Sequence, residues 1–168
     1  MMPFLSIHHP AARLCAAAVS AALVFVATAF FQVPIPLGYA HLGDAVIFMA
    51  VLLLPRREAA LAAAVGSAMA DFFAGFALWA GPTVLIKWGM VLIASAVSGD
   101  RRPVRLPRAA AGWALSSLWM AAGYTLFGAL IYDSLAAGLS SLPGLLLEGV
   151  VNVAAAWAAA LLLRGRLL

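Results

Sequence analysis

The sequence has too little charge to be at home in water. Only 10% of its 168 residues are charged, against roughly 25% in an ordinary soluble domain, and 66% are hydrophobic. Acids are the scarcer sign, six against ten basic residues. The resulting pI near 10 would suggest nucleic acid in a soluble protein, but these arginines fall between apolar segments, where they orient a membrane protein. No nucleic-acid partner is expected. The single cysteine, Cys15, lies in the first apolar segment; with no partner in the chain it excludes an intrachain disulfide and is read as a packing residue. Also missing are a Gly-rich loop ending in Gly-Lys-Ser/Thr, a His-Glu-x-x-His and a Gly-x-Ser-x-Gly. Neither ATP hydrolysis nor a standard hydrolase is encoded, so no enzyme activity and no cofactor are expected.

What the chain does have is a series of continuous apolar stretches rich in Ala and Leu. Barrel strands would alternate over about ten residues, so helices are indicated. A spanning helix uses roughly 20 apolar residues, and the whole chain, 1–168, reads as one all-α integral membrane domain, a six-helix bundle with no soluble part. The spans are placed at 12–31, 42–54, 59–78, 82–98, 109–131 and 142–163. Gly81-Pro82 is taken to divide the third from the fourth, because proline fits the first turn of a helix but not its interior. The first segment carries a signal-peptide-like pattern, Arg13, an apolar run and Ala27-Thr28-Ala29, but the run is long for a signal peptide and is kept as a span.

Arginine placement orients the bundle. Arg13 stands at the very start of the first span; Arg56 and Arg57 follow the second; Arg101, Arg102, Arg105 and Arg108 follow the fourth; Arg164 and Arg166 follow the sixth. All fall on one side, which the positive-inside rule makes the cytoplasm, so both termini are expected there.

The remaining charges point to a site. Asp71, Lys87 and Glu148 fall in the outer halves of three different spans, with Asp44 at the outer start of the second; Asp133 is read as a solvated loop residue. One ionisable group in a spanning helix costs roughly 2.5–3.5 kcal/mol, so several at one depth imply a polar cavity open to the outside. Helical spacing supplies neighbours: Ser67, Asp71 and Gly75; Thr83 and Lys87; Glu148 and Asn152. Tyr39, Trp79, Trp88 and Tyr124, at similar depth, would wall a flat organic ligand, and the loop 32–41 would close over it. The bland alternatives are that Lys87 merely pairs with Asp71 or Glu148, and that Tyr39 and Trp79 anchor in lipid headgroups. His41 with Asp44 is too small a set to specify a metal, and none is expected. The first span has small residues at four-residue spacing, Ala12, Ala16 and Ser20, then Ala17 and Ala21, which let another helix, inside or outside the chain, approach closely.

Three runs carry a resemblance: Pro-Leu-Gly-Tyr-Ala-His-Leu-Gly-Asp at 36–44, Gly-Ser-Ala-Met-Ala-Asp at 66–71, and Thr-Val-Leu-Ile-Lys at 83–87. Together they resemble the substrate-binding S components of energy-coupling-factor (ECF) vitamin transporters, closest to the riboflavin-type group. The resemblance implies a subunit of the prokaryotic plasma (inner) membrane that binds a water-soluble vitamin or precursor from outside. It further implies partnership with a transmembrane coupling subunit and two cytoplasmic ATPases, and toppling in the bilayer to release ligand. Ala12, Ala16, Ala17 and Ala21 would face the coupling subunit. The ligand would be held by Asp71, Lys87, Glu148 and Asn152, flanked by Trp79 and Tyr124, with Asp44, His41 and Tyr39 at the closing loop. The excess of acids over Lys87 points to a neutral or cationic ligand with several donors, such as a pyridine or pyrimidine vitamin. Two rival readings predict differently: a stand-alone proton-coupled carrier using Asp71 and Glu148 would transport alone, and a membrane scaffold subunit would bind no small molecule.

Overall fold

The structure, a computed structural model, describes residues 10–99 and 105–163. Asp100 and the arginines at 101, 102, 164 and 166 lie outside the described residues. Six long helices dominate: α1 (Pro10–Ala29), α2 (Gly43–Leu53), α3 (Arg56–Phe73), α4 (Ala80–Ser98), α5 (Leu106–Ile131) and, after a short α6 (Leu135–Ser140), α7 (Leu142–Leu162). Between α1 and α2 runs an antiparallel hairpin, β1 (Val33–Ile35) and β2 (Gly38–Ala40), in the register Val33↔Ala40 and Ile35↔Gly38. Its turn is Pro36-Leu37, with Leu37 at φ 65° in the left-handed region, uncommon for a residue that is not glycine.

The bundle is inside out relative to a soluble protein. Asp44, Lys87 and Asn152 are completely buried, whereas Leu14, Phe72, Leu85, Leu147 and Leu162 are exposed. An apolar exterior around polar groups suits a solvent of lipid. Four helical stretches, Pro10–Ala29, Ala77–Ser98, Leu106–Ile131 and Leu135–Leu162, are long and apolar enough to cross a bilayer. Of the other two long helices, α2 has only 11 residues, and α3 carries Arg56, Arg57, Glu58 and Asp71.

Two apolar clusters meet along α2. Phe48 and Leu52 pack with Ile86, Met90, Trp113, Met120 and Leu145 toward α4, α5 and α7. Ile47 and Ala50 pack with Val24, Ala59, Ala63 and Val91 toward α1, α3 and α4. Phe48 and Trp113 stack at 5.7 Å.

Several details depart from the sequence reading. The third helix stops at Phe73, not Leu78, and the break before α4 is made by Gly75, at φ +84°, followed by a 3-10 turn at Ala77–Trp79. Pro82 lies inside the first turn of α4, where the first amides have no intrahelical acceptor and a missing N–H costs nothing. Cys15 is exposed rather than packed. The small residues of α1 divide between its faces. Ala17 is buried, and a Cβ on Gly66 of α3 would sit 2.5 Å from the carbonyl oxygen of Ala21, so these two let α3 approach. Ala16 packs partly against the second cluster, and Ala12 is exposed.

Candidate functional site

The hairpin, α3, the turn that follows it, α5 and α7 line a cavity. Its volume is about 50 Å³, well below the roughly 300–1,000 Å³ of typical small-molecule sites, and the empty space reaches about 460 Å³ only when the open mouth is counted. Tyr39, His41, Asp71, Trp79, Tyr124 and Glu148, all expected from sequence, line it, joined by Ile35, Leu37, Phe76, Ser141 and Leu145.

The roof is fastened to the floor by one bond. Tyr39 on β2 donates from its hydroxyl to Asp71 Oδ1 at 2.8 Å, and its ring lies 5.3 Å from Phe76 and 5.8 Å from His41. Burial and the neighbouring Asp71 charge raise the Tyr39 pKa far above the ordinary phenol range, so the hydroxyl keeps its proton and remains the donor. Across the cavity the Trp79 and Tyr124 rings lie tilted to each other at 5.8 Å, and the Tyr124 and Thr83 hydroxyls are 3.0 Å apart. Trp79 is buried against these rings.

Behind the wall lies a second layer. Lys87 Nζ donates to Asp44 Oδ1 at 2.5 Å with both side chains fully buried, and it stands 5.4 Å from the Tyr124 ring centre. Its partner is thus Asp44, not Asp71 or Glu148 as the sequence suggested. Asn152 uses its whole amide on the scaffold: Oδ1 accepts from Ala45 N–H at 2.8 Å, and Nδ2 donates to the carbonyls of His41 at 2.7 Å and Glu148 at 2.9 Å. Asp44, Lys87 and Asn152 do not line the cavity; they fix the start of α2 and the His41 backbone against α4 and α7.

His41 joins the layers. Gly43 N–H donates to its Nδ1 at 3.1 Å, and the same nitrogen lies 3.3 Å from Glu148 Oε1. A ring nitrogen that accepts a backbone amide carries no proton, so two acceptors face each other there. Burial first, then the Lys87 charge, lower the His41 pKa from 6.5 to about 3 against the opposing pull of Asp44, and the imidazole is neutral.

The sequence reading did not name Phe76, which lines the cavity just after the Gly75 break; Thr83, named there as the neighbour of Lys87, meets the Tyr124 hydroxyl behind the wall.

A protein-family model described as the S component of ECF-type riboflavin transporters matches residues 10–164. The chain belongs to this family of S components. It is therefore a multi-pass membrane subunit of a transporter and not a member of an enzyme family. A solved structure of the S component of a bacterial ECF transporter shares the fold with a TM-score of 0.75 at 15% identity, covering 94% of this chain and 98% of that one. No curated protein matches the sequence.

Proposed function

We propose that this S component captures a water-soluble vitamin or vitamin precursor from outside the cell and delivers it through a coupling subunit energised by two cytoplasmic ATPases. The observation that carries the reading is the cavity beneath the hairpin. It combines aromatic walls with Asp71 Oδ2, Glu148 Oε1 and Trp79 Nε1, buried polar atoms with no hydrogen-bond partner among the described residues. Buried polar groups in folded proteins are nearly always satisfied, so three orphans around one cavity mark where a ligand supplies the missing bonds. The chain carries no ATP-binding loop, which fits a subunit energised by others. In this reading the cavity opens to the outside, the arginine-rich loops and both termini face the cytoplasm of a prokaryotic inner membrane, and the exposed small residues of α1 face the coupling subunit. The ligand contacts are Asp71, Glu148, Tyr39, His41, Trp79 and Tyr124, with Asp44, Lys87 and Asn152 positioning them.

Mass spectrometry of small molecules released from gently purified protein tests this. Wild type is expected to retain one vitamin-like compound that Asp71→Ala and Glu148→Ala lose. Transport by the chain alone in proteoliposomes would overturn the subunit reading in favour of a stand-alone carrier.

A further inference from the structure

The cavity has a charge imbalance that constrains what it holds. Among the described residues the only lysine, Lys87, is committed to Asp44, and no arginine pairs with Asp71 or Glu148. Asp71 Oδ1 accepts from Tyr39, while its Oδ2 and the Oε1 of Glu148 are buried with no hydrogen-bond partner among the described residues. His41, the one other basic group at the site, already accepts the Gly43 amide at the nitrogen nearest Glu148, and it is neutral. Asp71 on α3 and Glu148 on α7 thus line one space and share with Asp44 a single buried lysine, an excess of two acids. Buried carboxylates demand either a cation or protons, and removing a partner from a buried charge is far costlier than never burying it.

Around those acids the walls are aromatic. Tyr39, Phe76, Trp79 and Tyr124 line the same cavity. Such faces attract a flat ring, and they attract a positive one more strongly because the ring quadrupole is negative. Trp79 Nε1 is a buried donor at the cavity with no hydrogen-bond partner among the described residues.

A metal ion is the competing answer, since His41, Asp44 and Glu148 each present a ligand atom within 4.8 Å of the other two. The Lys87 ammonium, 2.5 Å from Asp44 Oδ1, already supplies positive charge at that point and would repel a second cation. The cavity side differs from that cluster in adding Asp71, a second carboxyl group beside Glu148.

Building on the reading of a vitamin-capturing subunit, we infer that the ligand is a cationic heteroaromatic molecule. An amine or protonated ring nitrogen is held by Asp71 and Glu148, the ring lies among Tyr39, Phe76, Trp79 and Tyr124, and one acceptor meets Trp79 Nε1. A charge-assisted bond to a buried carboxylate is among the stronger single contacts, so the sign of the ligand charge dominates selectivity.

The test is thermal stabilisation and calorimetric affinity of the full chain in detergent. The probes form a panel graded by charge: thiamin and pyridoxamine as cations, riboflavin and pyridoxine as neutral rings, nicotinate and 4-pyridoxate as anions. Compounds and metals released from the same preparation are identified by mass spectrometry. The expected result is that a cationic member, or a co-purified cation, binds best. Asp71→Asn and Glu148→Gln, which keep shape and remove charge, are then expected to weaken it about tenfold or more, and by a larger factor than they weaken the neutral pyridine. Wild-type selectivity alone decides the sign if either variant fails to fold. Preference for a neutral or anionic ring overturns the charge inference and leaves the capture reading standing. Stoichiometric divalent metal that is lost in His41→Ala overturns the inference in favour of the metal site. No binding across the panel together with nothing co-purified overturns both the inference and the capture reading.

Discussion

At the scale of single residues, the Lys87–Asp44 pair carries most consequence for folding. Both side chains are fully buried, and the 2.5 Å contact is each group's compensation for leaving water. Lys87→Met strands an uncompensated carboxylate. The expected loss is about 3–5 kcal/mol, read as a marked fall in melting temperature in detergent. Adding Asp44→Asn to that variant is expected to restore part of the loss, because it removes the stranded charge. His41 makes a prediction in pH. Its pKa is about 3 in the folded chain against an ordinary 6.5, so below pH 6.5 the unfolded chain takes up a proton that the folded chain refuses. The stabilising contribution of its neutral form is complete above pH 6.5 and declines as the pH falls from there toward 3. Melting temperatures measured from pH 7.5 to 5 are expected to drop for wild type and to drop less for His41→Gln.

At the scale of elements, the approach of α3 to α1 depends on the absence of a side chain. A Cβ at Gly66 would lie 2.5 Å from the Ala21 carbonyl oxygen and 2.9 Å from Val24 Cβ, neither of which can swing away. Gly66→Ala is expected to destabilise the protein by roughly 1–3 kcal/mol in thermal unfolding, whereas Gly81→Ala, which faces open space, is expected to be neutral or slightly stabilising. The contrast bears on what the sequence made legible. The small residues of α1 announced a close helix approach, but spacing along one helix does not say which neighbour uses it. The long helices were readable because hydropathy accumulates over about 20 residues. The hairpin and α6 were not, because three-residue strands and a six-residue helix are too short to set up a period. The α3–α4 break was misplaced for a related reason. Pro82 is the more conspicuous breaker in sequence, yet proline is harmless in a first turn, and Gly75 with its positive φ ends the helix. At the site, depth counting put Tyr39, Asp71, Trp79, Tyr124 and Glu148 together, and all five line the cavity, whereas Trp88, counted with them, packs against the second apolar cluster. The sequence did not pair Lys87 with Asp44, since helical spacing reports only neighbours on the same helix and this pair joins residues 43 apart.

At the scale of the whole molecule, lipid is the solvent that makes the arrangement stable. Leucines and phenylalanines coat the outside while the buried charged groups, Asp44, Asp71, Lys87 and Glu148, collect near the hairpin end of the bundle. Arg13 and Glu58 pair at 3.0 Å, joining the start of α1 to the start of α3. Arginines thus gather at the end of the bundle away from the cavity, the distribution that the positive-inside rule reads as cytoplasmic. A green fluorescent protein fused after Leu168 is expected to fluoresce in cells, and an export-dependent reporter inserted at Pro36 is expected to be active. The reverse pair of results would invert the orientation and place the cavity mouth inside.

The single hydrogen bond between Tyr39 and Asp71 has a consequence in time. The hairpin is latched to a carboxylate that, in the proposed function, the ligand also uses, so an arriving molecule must wait for the phenol to let go. Capture would then be paced by spontaneous opening rather than by encounter: its observed rate would level off as ligand concentration rises. Tyr39→Phe would lift that ceiling while shortening the stay of whatever has been caught.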